Sequence, residues 1–136
     1  MTMDDDINSQ EIPLLTFNSL YNLLREEKRT KKLQMLPELF YEALKKYFDD
    51  KKDEIKNLKI GRDSNDKLKK EMHVLRKSQE ISKELLNLRC SKIANITIKN
   101  TLFDEDVLSD DNILGIESDL VEYFKKGVRI LKKEVQ

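Results

Sequence analysis

The residues of this chain that could do chemistry are few and far apart. His73 is the only histidine and Cys90 is the only cysteine, and neither has a partner base or a second thiol near it in the sequence. A nucleophile is activated by an adjacent base or by a lowered pKa, and both require such neighbours. We therefore interpret His73 as a solvated surface residue and Cys90 as a small core or interface residue. We predict no catalytic set, no enzymatic activity and no cofactor.

An acidic segment is the one candidate for metal binding. Between Asn100 and Phe124 the sequence has no lysine or arginine, and five acidic residues cluster there. They are Asp104, Glu105, Asp106, Asp110 and Asp111. The segment lacks the glycine and the terminal bidentate glutamate at the spacing of a calcium-binding EF-hand loop. We interpret it as a solvated acidic loop and predict no metal site.

Two basic clusters could contact phosphates. The first comprises Lys67, Lys69, Lys70, Arg76 and Lys77, and the second comprises Lys125, Lys126, Arg129, Lys132 and Lys133. Acidic residues interrupt the first cluster, no aromatic residue lies nearby for base stacking, and the formal net charge is zero. Direct binding of nucleic acid is therefore expected to be weak or absent. A nucleic-acid-binding helical module that uses Lys67–Lys77 and the C-terminal cluster remains the alternative.

Glu27 and Arg89 are charged residues on apolar helical faces. Glu27 falls in the same arc as Phe17, Leu20 and Leu24 at 100° per residue. Arg89 lies at about 80° when Ile81 is placed at zero, in the middle of an apolar arc. That arc is formed by Leu85, Ile93 and Ile96. Lys92 lies nearer its edge, where its stem can snorkel to solvent.

A buried guanidinium requires a carboxylate, because an unpaired buried charge costs several kcal/mol. Glu27 is the first choice of partner for Arg89, and Glu38 or Glu42 could replace it. Arginine suits the role because its planar group can bind a carboxylate through two hydrogen bonds. We predict a structural ion pair of Glu27 with Arg89 that fixes the helices in one register. A solvent-exposed Arg89 that reaches past a shallow core is the other interpretation.

The composition favours an all-α fold. Hydrophobic and charged residues each make up 38%, whereas three Gly, two Pro and no Trp supply little for a turn-rich β fold. We predict a helical bundle of four to five helices with one long central helix. The predicted helices cover residues 17–31 with Thr16 as N-cap, about 37–61 from Pro37 to Gly61, 65–100, and 112–133 after a cap at Asp111 or Asn112.

Some boundaries stay open at this point. The long helix could be bent or broken near Lys77–Gln79, and Ile96–Ile98 could instead form a short strand. Residues 1–14 are predicted to be a flexible acidic N-terminus. The apolar arc after Ile81 covers about half the helix circumference, which is more than one neighbouring helix needs. We therefore assign core and interface positions to Phe40, Tyr47, Phe48, Leu85, Leu86 and Ile93.

The sequence also bears on the compartment. A single cysteine excludes an intrachain disulfide and is typical of a reducing environment. Nothing resembles a signal peptide, and no apolar run approaches the length that spans a bilayer. We expect a cytoplasmic protein without a membrane partner.

Two ordered sequence blocks resemble a known family. The first is Leu24-Arg-Glu-Glu27, then Leu33, then Leu36-Pro-Glu-Leu-Phe-Tyr41, and the second is Leu85-Leu-x-Leu-Arg89-x-x-Lys92-Ile93-Ala94. They resemble the N-terminal helical domain of GINS subunits, particularly archaeal ones of the type in which the helical domain comes first. The blocks cover about residues 15–98, and the resemblance implies a GINS-type helical domain over residues 15–136.

The resemblance implies a scaffold and not an enzyme. GINS is a tetrameric assembly factor that joins the MCM helicase to a RecJ-like or Cdc45-like protein in the replicative helicase complex. The partners implied are other GINS subunits in a homo- or hetero-oligomer, the MCM helicase and that RecJ-like or Cdc45-like protein. The implied location is the replication fork, associated with the nucleoid. A small β domain normally follows the helical domain in this subunit type, and this sequence has no segment that we interpret as one.

Overall fold

The computed structural model describes residues 12–61, 65–103 and 112–135. These residues form four α-helices, α1 (Phe17–Arg29), α2 (Phe40–Gly61), α3 (Asn65–Leu102) and α4 (Ser118–Val135), and a 3₁₀ turn at Gly115–Glu117 precedes α4. No residue in the described ranges belongs to a strand. The predicted all-α class with one long helix is therefore confirmed. The proposed N-terminal tail and the acidic segment at 104–111 lie outside the described residues, apart from residues 12–14.

Side-chain hydrogen bonds cap both ends of helix α1. The backbone N–H of Ser19 donates to Thr16 Oγ1 at 3.1 Å, and the N–H of Thr16 donates to Ser19 Oγ at 2.7 Å. This reciprocal pair satisfies backbone amides that have no partner within the first turn. Thr16 is therefore the N-cap, as predicted. At the other end, Lys92 Nζ donates to the carbonyl of Glu27. The helix ends at Arg29, two residues earlier than predicted.

The start of α2 differs from the sequence prediction. Its first turn closes with the N–H of Ala43 donating to the carbonyl of Leu39 at 2.9 Å, and the helix begins at Phe40. Pro37 therefore precedes the helix and is not in its first turn. Proline disfavours the helical conformation in the residue before it, so Leu36 is held outside the helix as well. Gly61 ends α2 as predicted.

Helix α3 is unbroken over 38 residues. The proposed break near Lys77–Gln79 is absent, and the Ser78 hydroxyl donates to the carbonyl of Val74 one turn earlier at 2.7 Å. The β-branched run at Ile96–Ile98 is helical and not a strand, and Thr97 is fully buried. Burial of one face therefore outweighs the strand preference of these residues.

The start of α4 also differs from the prediction. Asn112 and Ile113 are not helical, Gly115–Glu117 forms the 3₁₀ turn, and α4 begins at Ser118. Asp111, the other proposed cap, lies outside the described residues. The turn is closed by the N–H of Glu117, which donates to the carbonyl of Leu114 at 2.8 Å.

The chain divides into two compact units. The first unit contains residues 1–23 and 39–83, of which 12–23, 39–61 and 65–83 are described. Its buried apolar residues are Leu20, Phe40, Ala43, Leu44, Tyr47, Ile55, Leu58 and Ile81. Tyr47 Oη and Ser78 Oγ form a buried hydrogen bond of 2.8 Å within this core.

The second unit contains residues 24–38 and 84–136, of which 24–38, 84–103 and 112–135 are described. Its core is built around Leu33, Ile93 and Val121, and further apolar side chains pack against them, namely Ile96, Ile113, Leu120 and Phe124. Farther along both helices, Lys132 Nζ donates to the carbonyl of Thr101 at 3.4 Å. The order of these contacts shows that α4 runs in the same direction as the last turns of α3.

Candidate functional site

A buried arginine lies at the centre of the second unit. Helix α3 places Leu85, Arg89 and Ile93 four residues apart on one face, and Arg89 is only 1% exposed. The face is apolar on both sides of the guanidinium, so the charge cannot reach water past a shallow core. The interpretation of a solvent-exposed Arg89 is therefore wrong, because the helical spacing directs its side chain into the protein.

Every N–H group of the Arg89 guanidinium has an acceptor. Nε and Nη2 donate to the two carboxylate oxygens of Glu117 at 2.8 and 2.9 Å. Nη1 donates to Glu27 Oε1 at 3.0 Å and to the carbonyl of Gln34 at 2.9 Å, and Nη2 also donates to the carbonyl of Asn112 at 3.0 Å. A guanidinium has five N–H donors, and these five bonds use all of them.

Glu27 is fully buried, and its carboxylate accepts hydrogen bonds from three residues that lie outside α1. In addition to Arg89, Lys92 Nζ lies 2.7 Å from its Oε2, and the backbone and side-chain amides of Gln34 donate to it at 3.1 and 3.2 Å. The predicted contact between Glu27 and Arg89 is thus present, at 3.0 Å. Glu38 and Glu42, the proposed substitutes, are both exposed.

Lys92 differs from the sequence prediction. Its ammonium group does not snorkel into solvent but donates to the Glu27 carboxylate, to the Glu27 carbonyl and to the carbonyl of Lys32. These three bonds use all three N–H groups of an ammonium. The compact ammonium group of lysine can donate to these acceptors in three directions at the end of α1, whereas the N–H groups of a guanidinium all lie in one plane.

The formal charges in this cluster balance. Glu27 and Glu117 carry two negative charges, and Arg89 and Lys92 carry two positive charges. Burial alone would raise the pKa of Glu27, but hydrogen bonds from Lys92, Gln34 and Arg89 outweigh burial and hold it below its ordinary value. Burial likewise acts to lower the pKa of Arg89, and Glu117 and Glu27 together raise it above its ordinary value. These hydrogen bonds therefore hold Glu27 and Arg89 in their charged forms.

Glu117 is a member of this cluster that was not predicted from the sequence. It lies four residues before Val121 and eleven before Val128, both of which are buried. That spacing places Glu117 at the head of the buried face of α4, as Glu27 is placed on the buried face of α1. Its Oε1 also accepts the N–H of Leu114 at 2.9 Å. The helical spacing identifies Glu117 only once the buried face of α4 is known, because apolar residues lie on both faces.

The predicted core and interface positions fall into two groups. Phe40 and Tyr47 are buried in the first unit, and Leu85 and Ile93 are buried in the second. The remaining two, Phe48 and Leu86, are half-buried. The wide apolar arc of α3 in the second unit is largely occupied by the chain's own core, because Ile93 and Ile96 pack with Leu33 and Val121.

The residues considered for chemistry lie elsewhere. His73 is exposed, as interpreted from the sequence, and its Nδ1 lies 2.9 Å from Arg76 Nη2. Cys90 is exposed and is not a core residue, because it follows Arg89 on α3 and so points about 100° away from the buried face. Among the described residues, no group of three His, Cys, Asp or Glu side chains is placed to hold a metal ion.

Each basic cluster contains one lysine that lies close to a glutamate. In the first cluster, Lys77 lies 3.4 Å from Glu80, and in the second, Lys125 lies 3.7 Å from Glu122. Opposite charges at such distances reduce the local positive potential that would attract phosphates. No helix in the described ranges has the length and apolar character needed to cross a lipid bilayer.

The arrangement around Arg89 is suited to holding segments together. The guanidinium joins the end of α1, the loop that follows it, the 3₁₀ turn and α3, all within the second unit. Its donors are used by protein groups and its side chain is closed to solvent, so a substrate has no place at this cluster. Comparison with protein families, curated proteins and solved structures gives no match for this chain.

Proposed function

We propose that this protein is a non-enzymatic scaffold subunit of the GINS type that acts at the replication fork. In this role it joins the MCM helicase to a RecJ-like or Cdc45-like protein and assembles with other subunits through helix–helix interfaces. One observation carries the proposal. Glu27 of the first family-like block contacts both Arg89 and Lys92 of the second block, which lies more than 60 residues later.

That contact explains why these residue types occur at these positions. Each block is short, and either could resemble the family by chance. The cost of an unpaired buried charge would favour such contacts in any fold, and here the charged partners come from the two family-like blocks. Because Glu27, Arg89 and Lys92 depend on one another for charge compensation, the two blocks form one structural signature.

The same cluster supports a structural role over a catalytic one. A catalytic charge must be able to meet a substrate or the reacting atoms. Arg89 instead gives all of its donors to protein groups, and Glu27 is sealed from solvent. Such a site stabilises the arrangement of segments in the second unit. The cluster therefore stabilises the fold, and contacts with other proteins in an assembly fall to exposed surfaces.

An exposed apolar end of α3 supports contact with other proteins. Ile98, Leu102 and Phe103 are all exposed in the last turn and just beyond it. Adjacent exposed apolar side chains commonly mark sites of protein–protein contact. This surface lies beside the region where Lys132 meets Thr101, and so belongs to the second unit.

Reconstitution tests the proposal. The full chain is mixed with a GINS partner subunit, the MCM helicase and a RecJ-like or Cdc45-like protein, and native mass spectrometry with light scattering gives the composition of any complex. We expect a complex of defined stoichiometry that weakens with Phe103→Asp. The matched control is Ile60→Asp, which alters an equally exposed apolar residue on α2 in the first unit. A chain that binds none of these proteins contradicts the proposal.

The same preparation tests the nucleic-acid alternative. Fluorescence anisotropy with labelled single- and double-stranded DNA at low salt detects binding through Lys67–Lys77 or the C-terminal cluster. Binding through phosphate contacts would weaken steeply as salt is raised. We expect no such binding, since acidic residues interrupt the first cluster and Lys77 and Lys125 lie close to glutamates. Tight, salt-sensitive binding would favour the alternative.

A further inference from the structure

The start of α4 is anchored to the rest of the second unit by the charged cluster. Glu117, just before the helix, accepts two hydrogen bonds from Arg89 at 2.8 and 2.9 Å. Hydrogen bonds between charged groups are stronger than those between neutral groups. Val121 and Phe124 then pack in the apolar core of the unit. The first part of α4 is therefore held both by charge and by apolar packing.

The end of α4 has weaker contacts. We call residues 127–135 the α4 arm. Within this fully described segment, Val128 is the only buried residue, at 8% exposure, and Lys132 is half-buried. Lys132 Nζ lies 3.4 Å from the carbonyl oxygen of Thr101, a longer distance than the usual range of about 2.7–3.2 Å. Few buried apolar contacts are typical of segments that open locally while the rest of a protein stays folded.

A buried hydroxyl without a hydrogen bond lies beneath α4. Thr97 is 0% exposed, and its Oγ1 has no hydrogen-bond partner among the described residues. One turn earlier on α3, Ile93 packs with Val121. One turn later, the carbonyl of Thr101 meets Lys132. Thr97 therefore lies on the face of α3 that α4 covers between these two contacts.

The Thr97 hydroxyl opposes the docking of the α4 arm. A hydroxyl that is exposed to water makes hydrogen bonds to water, and burial removes them. Thr97 receives no protein hydrogen bond in exchange. The apolar packing of Val128 must therefore offset this loss before it stabilises the docked arm.

Gly127 separates the anchored part of α4 from the arm. A Cβ atom added there would meet no heavy atom within 4 Å, so packing inside the chain does not require glycine at this position. Glycine is less favourable than alanine in a helix interior because it loses more backbone freedom. It has the lowest helix propensity of the residue types in α4, so the helix bends there at the least cost.

We propose that the α4 arm opens away from α3 about Gly127 while the anchored part of α4 stays in place. Opening gives the Thr97 hydroxyl access to water, and this gain offsets part of the lost packing of Val128. It also uncovers a face of α3 that is closed to solvent when the arm is docked. The α4 arm is thus a conformational device that controls access to this face.

This inference goes beyond the proposed function, since it concerns the motion of the chain by itself and requires no replication protein. Amide hydrogen exchange of the purified wild-type chain tests it without any substitution. A helix as short as the α4 arm is marginal when it is undocked, so its amides exchange in the open state. We expect residues 128–135 to exchange together and before residues 122–126.

Simple fraying of the helix end would give a different pattern of exchange. Protection would then rise steadily from Val135 towards the anchored part of α4, with no common rate for the arm. Such a gradual rise, or equal protection throughout α4, overturns the proposal.

Labelling of a matched pair of thiols locates the opening. In a Cys90→Ser background, which replaces an exposed thiol, Val128→Cys and Val121→Cys are made separately and treated with a maleimide reagent. We expect the thiol at position 128 to react at least about tenfold faster than the thiol at position 121. Its rate should depend little on urea, because a local opening exposes little surface. Equal rates that both rise steeply with urea would show that only global unfolding exposes these positions, and would overturn the proposal.

Thr97→Val tests the role of the buried hydroxyl. The variant keeps the shape of the side chain and removes the oxygen that makes no hydrogen bond, so labelling at position 128 should slow about tenfold. Labelling at position 121 should not change. Thr101→Val is the matched control, since it alters a half-buried threonine one turn later and leaves its carbonyl in place. Equal effects of the two substitutions would contradict the role of Thr97 in the opening.

Gly127→Ala tests the position of the bend. The added methyl group fits the docked arm and raises helix propensity. We expect it to slow labelling at position 128 by about threefold or more, with no change at position 121. Unchanged labelling at position 128 would contradict opening about Gly127.

Discussion

Arg89 and Glu117 are joined by two parallel hydrogen bonds of 2.8 and 2.9 Å, although 28 residues separate them in the chain. The pair links the middle of α3 to the 3₁₀ turn that precedes α4. Glu27 contacts the same guanidinium from the end of α1. Because one cation serves two carboxylates, removal of Arg89 leaves both of them buried and short of positive charge. This shared dependence is the basis of the first three predictions.

Loss of the Glu27 carboxylate is expected to destabilise the protein strongly. Glu27→Ala leaves Arg89 and Lys92 with one carboxylate between them, and breaking a buried pair in this way costs about 3–5 kcal/mol. Urea unfolding followed by circular dichroism measures the change. The control is Glu26→Ala, which removes an exposed pair with Arg29 and should cost about 1 kcal/mol or less. Equal effects of the two changes would contradict the structural role of Glu27.

The shape of the Arg89 side chain should matter as much as its charge. Arg89→Lys keeps the positive charge but supplies at most three donors in place of five. It therefore leaves acceptors among Glu117 and the carbonyls of Gln34 and Asn112 without a bond. We expect a loss of about 2–4 kcal/mol in the free energy of unfolding.

Arg29→Lys is the matched control for this change, because Arg29 is exposed and contacts only Glu26 among the ion pairs described. It should change the free energy of unfolding by less than about 0.5 kcal/mol. If Arg89→Lys changed the free energy of unfolding by equally little, the paired hydrogen bonds to Glu117 would contribute little to stability.

Acid is expected to weaken the protein through Glu27. Its pKa is lower in the folded protein than in the unfolded chain, so its contribution to stability is complete above the unfolded value of about 4.3. That contribution is lost as the pH falls through the lower folded pKa. Urea unfolding from pH 7 to pH 3 should show a decline that Glu27→Gln reduces.

The comparison with Glu27→Gln also has an expected direction. The variant should be less stable than the wild type at pH 7, and the difference should shrink as the pH falls, because the wild-type carboxyl becomes neutral as well. Glu26→Gln provides the exposed control. A difference between Glu27→Gln and wild type that is constant with pH would exclude Glu27 as the responsible group.

The first unit offers a prediction that is independent of this cluster. Ser78 Oγ donates to the carbonyl of Val74, so its single hydrogen is used and Tyr47 must donate in the 2.8 Å bond between the two hydroxyls. Tyr47→Phe should therefore cost about 1 kcal/mol in the free energy of unfolding. Tyr21→Phe, at an exposed position on α1, should have no measurable effect. Equal costs would show that the buried bond adds nothing.

Local patterns in the sequence were enough to predict the helices and part of the charged cluster. The periodicity of apolar residues predicted the all-α class, and the N-cap at Thr16 followed from residue type. Glu27 and Arg89 could be paired in advance because each interrupts an apolar face and their charges are opposite. A buried charge without compensation is too costly to persist, so each residue by itself implied a partner.

Only the tertiary structure decided which other groups complete the cluster and which apolar faces remain exposed. Lys92 was expected in solvent, and Glu117 was not considered, because the position of the 3₁₀ turn and the course of the loop after α1 depend on contacts between segments distant in sequence. For the same reason, periodicity could not separate the buried face of α4 from its exposed one. The sequence by itself determined where helices form and which charges need partners, because both follow from local spacing and from the cost of burying a charge. Three-dimensional packing determined which partners those charges meet.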